Sequence, residues 1–159
     1  MADLIQFSRN IRRRGRQVEN SASELVRSMA KRSLRSLVQN TKADTGKARS
    51  NWRVGIGGSP SAVIEAYAPY PKGSKANGLG ASETANASAA ISAGSARINS
   101  VRGVAGVGLK TAITITNNVP YLDKALLPGA VEVSIREAQI VLRGFKIFDR
   151  SGGDSGGDF

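Results

Sequence analysis

The sequence predicts an α+β fold: a long N-terminal helix, a small antiparallel sheet, an Ala-rich middle helix and a C-terminal helix. Three observations support this prediction. Apolar residues recur at helical spacing over residues 3–41, two later stretches alternate as strands do, and the last stretch returns to helical spacing. At 159 residues the chain can bury a core without disulfides. We expect one domain, residues 1–148, and a Gly- and Asp-rich flexible tail, residues 149–159.

The N-terminal segment predicts one amphipathic helix. Apolar residues recur every seven positions, at Leu4, Ile11, Val18 and Leu25. The repeat is not sustained to the end of the segment, which favours packing on a sheet over a coiled coil. Gly15 costs about 1 kcal/mol relative to Ala in a helix. We therefore expect a break or kink near Gly15, with residues 1–15 forming either a basic arm or a frayed first turn.

The first helix should end at Asp44, Thr45 and Gly46. A Gly just past the last turn takes the left-handed cap conformation at little cost, and the two polar side chains can bond the freed backbone groups. From Ser50 the sequence alternates like a strand, with three apolar residues on one face: Trp52, Val54 and Ile56. We expect this single Trp to seat the helix on the sheet.

A turn cluster at residues 57–60 ends this strand, and residues 62–67 predict a returning strand, so we expect a hairpin. Residues 68–80 then form a loop rich in Pro and Gly, which carries Lys72 and Lys75. Such a connection is long for a compact domain. It indicates either a functional loop that reaches a neighbour or a surface insertion.

Three further elements complete the predicted fold. Residues 82–101 are rich in Ala and Ser and predict a helix whose small face can approach a neighbour closely. Residues 111–116 alternate Ala and Thr with Ile and predict a third strand. Beyond Gly129, a last helix places four residues on the face that we expect in the core: Ile135, Ala138, Leu142 and Phe145.

Positive charge is concentrated near the N-terminus. Residues 1–53 hold 13 Lys or Arg against 4 acidic residues, a net charge of +9, which leaves +2 of the total +11 for the rest. Such a surface attracts polyanions, including nucleic acid and acidic protein surfaces, although a solvated helix face explains the charge equally well. The candidate contact residues are Arg12, Arg13, Arg14 and Arg16, together with the two loop lysines, Lys72 and Lys75.

Composition excludes several functions. The chain has no Cys, which excludes disulfides and thiolate chemistry, and no His, which removes the usual base at neutral pH and the commonest metal ligand. Its start lacks the apolar run of a signal peptide, and no window approaches the ~18 apolar residues of a membrane span. We expect a soluble, intracellularly made protein with no membrane contact, metal or cofactor.

Three motifs are similar to enzyme signatures, but their surroundings do not fit. The triplet Asp-Thr-Gly at residues 44–46 spells the aspartic-protease motif, yet lysines flank it and a second carboxylate is missing unless a symmetric dimer supplies it. Residues 103–111 approach a phosphate-binding loop, but a Leu interrupts the spacing and the predicted order is helix, loop, strand. Residues 55–58 lack a third Gly and a following helix. We expect no enzymatic activity.

Two motifs carry a resemblance to a known family. The first lies at the end of the basic helix and consists of Asp44, Thr45, Gly46, Arg49 and Trp52. The second precedes the last helix and consists of Asn117, Asn118, Val119, Pro120, Tyr121 and Gly129. In this order they resemble the tail-completion or neck proteins of tailed bacteriophages, the broad family that includes the minor tail protein Z of lambda. The resemblance covers residues 3–147.

The resemblance implies a structural virion protein. Six or twelve copies would form a ring in the neck that completes the tail and joins it to the head connector. DNA would pass through the lumen without sequence readout. The partners would be portal-side connector proteins and tail-terminator or tail-tube proteins, and the protein would be located in the virion after assembly in the host cytoplasm. The motif residues would then set the fold.

A second hypothesis is a sequence-independent basic DNA-binding protein of nucleoid type. The basic helix has Phe7 as its single aromatic residue and shows no helix-turn-helix spacing. Such a protein would therefore bind DNA through phosphate contacts, which depend on salt concentration and do not depend on sequence.

Overall fold

A computed structural model describes residues 2–42, 45–70, 79–101 and 112–145. It contains helices and a small antiparallel sheet, which confirms the predicted α+β class. In chain order the elements are α1 (Ala2–Gln39), α2 (Lys47–Ser50), β1 (Arg53–Ile56), α3 (Leu79–Ser100), β2 (Ile113–Thr116), α4 (Leu122–Ala125) and α5 (Ala130–Gly144).

The helix α1 organises the molecule, because α3, α5 and the sheet all pack on its C-terminal half. The strands β1 and β2 pair in antiparallel register, with Arg53 opposite Thr116 and Ile56 opposite Ile113. The core is formed by residues from α1, β1 and α3 and by Trp52, which directly precedes β1. Its members are Leu34, Leu37, Val38, Trp52, Val54, Ala90 and Ile98.

The small face predicted for the middle helix is present in α3. Ala90 is buried in the core. A Cβ added to Gly94 would overlap Cδ2 of Leu34, so α3 lies as close to α1 as a glycine permits. Close approach of this kind requires small residues at the contact.

The predicted hairpin is wrong. β1 pairs with β2, and residues 62–67 form no strand. Two hydrogen bonds of 2.7 Å hold this segment: the Asn51 Nδ2 donates to the Ile64 carbonyl, and the Ile64 N–H donates to the Asn51 Oδ1. An amide side chain thus takes the place of a partner strand. The first strand also begins later than expected, because residues 47–50 form α2.

The predicted break at Gly15 is wrong, because α1 runs unbroken from Ala2 to Gln39. The cost of a single glycine, about 1 kcal/mol, is too small to interrupt a long helix whose neighbouring arginines favour helix. A Cβ at Gly15 would meet nothing within 4 Å, so no close neighbour requires a glycine there.

The core face predicted for the last helix is partly wrong. Ala138 is buried and Phe145 is partly buried, but Ile135 and Leu142 are 51% and 50% exposed. The buried residues of α5 are small ones, Ala130, Ser134 and Ala138. Small side chains let α5 approach α1 closely, and the larger side chains are left on the flanks.

Some sequence predictions fall on residues outside the described ranges: Asp44, the loop lysines Lys72 and Lys75, and the tail. Within the described ranges, no helix combines the length and the apolar character that a bilayer crossing requires.

Candidate assembly interface

The N-terminal half of α1 extends beyond the rest of the described molecule. The contacts that hold α1 lie in its C-terminal half, where Arg27 donates to the Val101 carbonyl at 2.9 Å and Ser33 donates to the Ser134 carbonyl at 3.3 Å. Residues 4–20 are exposed apart from the partly buried Asn10. At 1.5 Å per residue, this segment projects by about 25 Å. We call residues 4–20 the arm.

One face of the arm is basic. Residues three, four and seven apart share a helical face, which groups Arg9, Arg12, Arg13 and Arg16. All four are exposed, and none forms a salt bridge with a described residue. Of the sequence-predicted contact residues, the structure therefore brings three together and sets Arg14 apart. A cluster of unpaired cations on a projecting helix attracts polyanions.

The opposite face of the arm is apolar and uncovered. It consists of Leu4, Phe7, Ile11 and Val18, which we call the arm stripe. Leu4 is 74% exposed and Phe7 is 63% exposed. Isolated exposed apolar residues are ordinary, but several large ones that share one helix face indicate an interaction site, although Arg14 and Gly15 interrupt this face between Ile11 and Val18.

A groove of about 590 Å³ follows the outer edge of β1. In an antiparallel pair, the backbone N–H and C=O groups of alternate residues point towards the partner strand, and those of the residues between them point away. The Gly57 N–H donates to the Ala112 carbonyl at 2.9 Å, so the backbone groups of Val54 and Ile56 point away from β2 and find no partner among the described residues. Arg53 and Arg97 also line the groove. An open edge of this kind accepts an extended segment.

The first sequence motif converges on Thr41, just past the end of α1. The Trp52 Nε1 donates to the Thr41 Oγ1 at 2.8 Å, and the Arg49 Nε donates to the Thr41 carbonyl at 2.7 Å. The Thr41 hydroxyl itself donates to the Leu37 carbonyl at 2.7 Å. The motif therefore joins the end of α1 to β1 through a buried threonine.

Gly46 adopts the left-handed conformation, with φ of 78°, but it precedes α2 and does not cap α1, which ends at Gln39. A Cβ there would overlap Nδ2 of Asn86. Asn86 is fully buried in α3, and its Oδ1 accepts hydrogen bonds from the Ser50 hydroxyl at 2.9 Å and the Ala68 N–H at 2.8 Å. Thr45 is partly buried beside this turn.

The second motif closes the other side of the sheet. The Asn118 Nδ2 donates to the Pro60 carbonyl at 2.6 Å. Pro120 is exposed, and Tyr121, 39% exposed, precedes α4. Gly129 has φ of 74°, and its carbonyl accepts a hydrogen bond of 2.9 Å from the Val133 N–H at the start of α5. These residues form turns between β2, α4 and α5, and their side chains are not arranged as a catalytic site would be.

Sequence reasoning missed three buried polar residues that connect the elements: Thr41, Asn51 and Asn86. A signal exists for Asn86, since an Asn inside an Ala-rich helix is a poor helix former and needs a reason to be there. Thr41 and Asn51 carry no comparable local signal.

Ionisable groups form few close pairs. Lys47 donates to Glu65 at 2.6 Å, and this hydrogen bond raises the pKa of the exposed Lys47 ammonium. Among the described residues, no three acidic side chains converge as metal ligands would. The surfaces described above are suited to binding extended or anionic partners.

Fold and surfaces together define an α+β domain with a projecting amphipathic helix. No protein-family model matches the chain significantly, and neither does any curated protein or solved structure.

Proposed function

We propose that this chain is a structural virion protein of a tailed bacteriophage. Copies form a ring in the neck that completes the tail and joins it to the head connector around the DNA channel. Its partners are portal-side and tail-terminator or tail-tube proteins. The proposal draws on the resemblance of the two motifs and on the surfaces of the folded subunit.

The observation that carries the proposal is the arm. The arm projects by about 25 Å from the rest of the described molecule, which is far enough to contact a neighbouring subunit. The open edge of β1 is a second uncovered surface on the same domain. Different surfaces on one subunit that contact each other head to tail generate a closed ring when the rotation closes.

The test is the oligomeric state of the purified protein in ~0.3 M salt, which screens non-specific charge contacts. Native mass spectrometry gives the copy number, and negative-stain imaging gives the shape. Closed rings with a central hole are the expected result. A monomer that also holds duplex DNA at this salt would contradict the proposal.

The second candidate is a sequence-independent DNA-binding protein of nucleoid type. The specific observation in its favour is the row of unpaired arginines on the arm, Arg9, Arg12, Arg13 and Arg16. Neck proteins meet DNA as well, so weak binding at low salt fits both candidates. Binding that persists in ~0.3 M salt without ring formation favours this one.

A further inference from the structure

We propose that the arm of one copy docks its apolar stripe on the exposed apolar flank of α5 in the next copy, leaving the basic face of the arm outward. This inference rests on the proposed function, since it names the contact that joins neighbouring subunits. It is nevertheless testable separately from ring formation.

The receiving surface is a row of three apolar residues on α5: Val131, Ile135 and Leu142, which we call the α5 row. Positions four and eleven residues apart lie on one side of a helix. Each of the three is about half exposed. α5 packs on α1 through its small residues. Within the described ranges, no element other than α1 makes substantial contact with α5, and the α5 row is exposed.

The two surfaces match in length. The arm stripe spans fifteen residues, from Leu4 to Val18, and its ends lie about 21 Å apart along the helix. The α5 row spans twelve residues, from Val131 to Leu142, and its ends lie about 17 Å apart. Two helices with apolar rows of similar length can pack ridge into groove along the whole row.

The arm cannot reach the α5 row of its own chain. α5 lies against the C-terminal half of α1, with Ser134 beside Ser33 and the start of α5 near the end of α1. Because α1 is one unbroken helix, the arm points away from that region. A contact between the arm and the α5 row therefore joins two copies of the chain.

Charge favours the α5 row over a second arm. Residues 2–20 hold five Arg against two acidic residues, a net charge of +3, whereas α5 holds two Arg and two Glu. Pairing two arms would bring like charges together, and Arg14 lies at the border of each arm stripe. On α5 the corresponding border position is Glu132, which is exposed and has no described ion pair. Glu137 pairs with Arg32, so the unpaired charges of α5 are Glu132, Arg136 and Arg143, a net charge of +1. A docked arm therefore meets less like charge on α5 than it would on a second arm.

The contact is directional, because the donor and the acceptor are different surfaces of one chain. Each copy uses both, so a chain of contacts either closes into a ring or grows as a filament. The basic face of a docked arm stays exposed, which leaves its arginines available to a polyanion.

Chemical cross-linking tests the contact directly, because the chain has no native cysteine. We would prepare Ile11→Cys and Ile135→Cys as separate proteins, label one with ¹⁵N, mix them and add a short bis-maleimide. The expected product is the mixed dimer, with little homodimer of either protein. Arg13→Cys mixed with Ile135→Cys is the matched control, because Arg13 lies on the opposite face of the arm.

Each outcome decides the inference. Homodimers of Ile11→Cys would show arm-to-arm pairing and overturn it. Rings without the mixed cross-link would overturn it while leaving the proposed function standing. Absence of both rings and cross-link would overturn the inference, as would a monomer that binds anionic phospholipid vesicles through the arm stripe. A monomer that also held duplex DNA in ~0.3 M salt would contradict the proposed function as well. The mixed cross-link in open oligomers would support the contact and contradict the closed ring.

A point variant gives an independent readout. Ile11→Asp should raise the dissociation constant of the assembly about tenfold or more, because it places a charge in the centre of the contact. Arg13→Gln should leave it unchanged. Since both side chains are exposed in the subunit, thermal unfolding should be nearly the same for the two variants. Equal dissociation constants for the two variants would overturn the inference.

Discussion

At the residue scale, the buried side chain of Thr41 joins the end of α1 to the segment that leads into β1, a role that the local sequence does not predict. Thr41 accepts hydrogen bonds from Trp52 and Arg49 and bonds the last turn of α1. An indole N–H that is buried without an acceptor keeps the full cost of its desolvation. The stability of the junction between α1 and β1 therefore depends on one hydroxyl group.

Replacing that hydroxyl with a methyl group should destabilise the domain. We expect Thr41→Val to lower the free energy of unfolding by about 1–3 kcal/mol, because the Trp52 N–H loses its acceptor while volume is kept. Urea unfolding followed by Trp fluorescence measures this. Thr45→Val, which removes a hydroxyl with no described hydrogen bond, should change stability by less than about 0.5 kcal/mol. Equal effects of the two variants would contradict the role assigned to Thr41.

Two glycines with positive φ form a matched pair. Both Gly46→Ala and Gly129→Ala force a Cβ into the left-handed region, which costs about 1–2 kcal/mol. At Gly46 the Cβ also overlaps the buried Asn86 amide, whereas at Gly129 it meets nothing within 4 Å. We expect Gly46→Ala to be clearly the more destabilising in thermal unfolding. The reverse order would mean that the Asn86 contact is unimportant.

At the element scale, α1 serves two purposes along its length. Its C-terminal half supplies Leu34, Leu37 and Val38 to the core, and its N-terminal half contributes no fully buried residue. Helices gain most of their stability from packing, so the two halves should differ in local stability.

Two glycine replacements probe the two halves of α1: one lies in the arm, and the other lies in α3 against Leu34 of the C-terminal half. Gly15→Ala should raise the helicity of the arm, with a gain of about 0.5–1 kcal/mol in local stability, because the site is open. Gly94→Ala offers the same propensity gain in α3, but its Cβ overlaps the fully buried Leu34, so we expect net destabilisation. Circular dichroism and hydrogen exchange at the arm measure the effect of Gly15→Ala, and thermal unfolding measures the effect of Gly94→Ala. Stabilisation by Gly94→Ala would show that Leu34 moves freely.

At the scale of the whole molecule, both proposed functions bring the protein to DNA, and the charge distribution predicts which surface would bind it. The basic face of the arm should contribute to the salt dependence of binding, with a slope of about 0.9 per phosphate contact on a double-logarithmic plot. The effect is electrostatic and independent of sequence.

We therefore expect the triple variant Arg12→Gln, Arg13→Gln, Arg16→Gln to reduce that slope by about 2–3 and to weaken binding equally on unrelated duplexes. A fluorescence-anisotropy titration at several salt concentrations measures both. The control replaces two exposed arginines of α5, Arg136→Gln and Arg143→Gln, and should leave the slope nearly unchanged. An unchanged slope in the triple variant would show that DNA meets another surface.

Local patterning predicted much of this molecule. The spacing of apolar residues identified α1, the Ala-rich composition identified α3, and alternation identified β2, because helical and strand periods are properties of a few neighbouring residues. The basic sequence around Gly15 predicted one contact surface of four arginines, of which the helix groups Arg12, Arg13 and Arg16 and sets Arg14 apart. These features depend on sequence within one element.

Tertiary structure decided the features that depend on distant residues. Residues 62–67 read as a strand, but whether an extended segment pairs with a strand or with a side chain is set by what lies beside it, here Asn51 and Ser50. The buried face of α5 was likewise set by α1, which accepts small residues and leaves Ile135 exposed. Sequence periodicity shows which side chains share a face, whereas only the packed structure shows which face finds a partner.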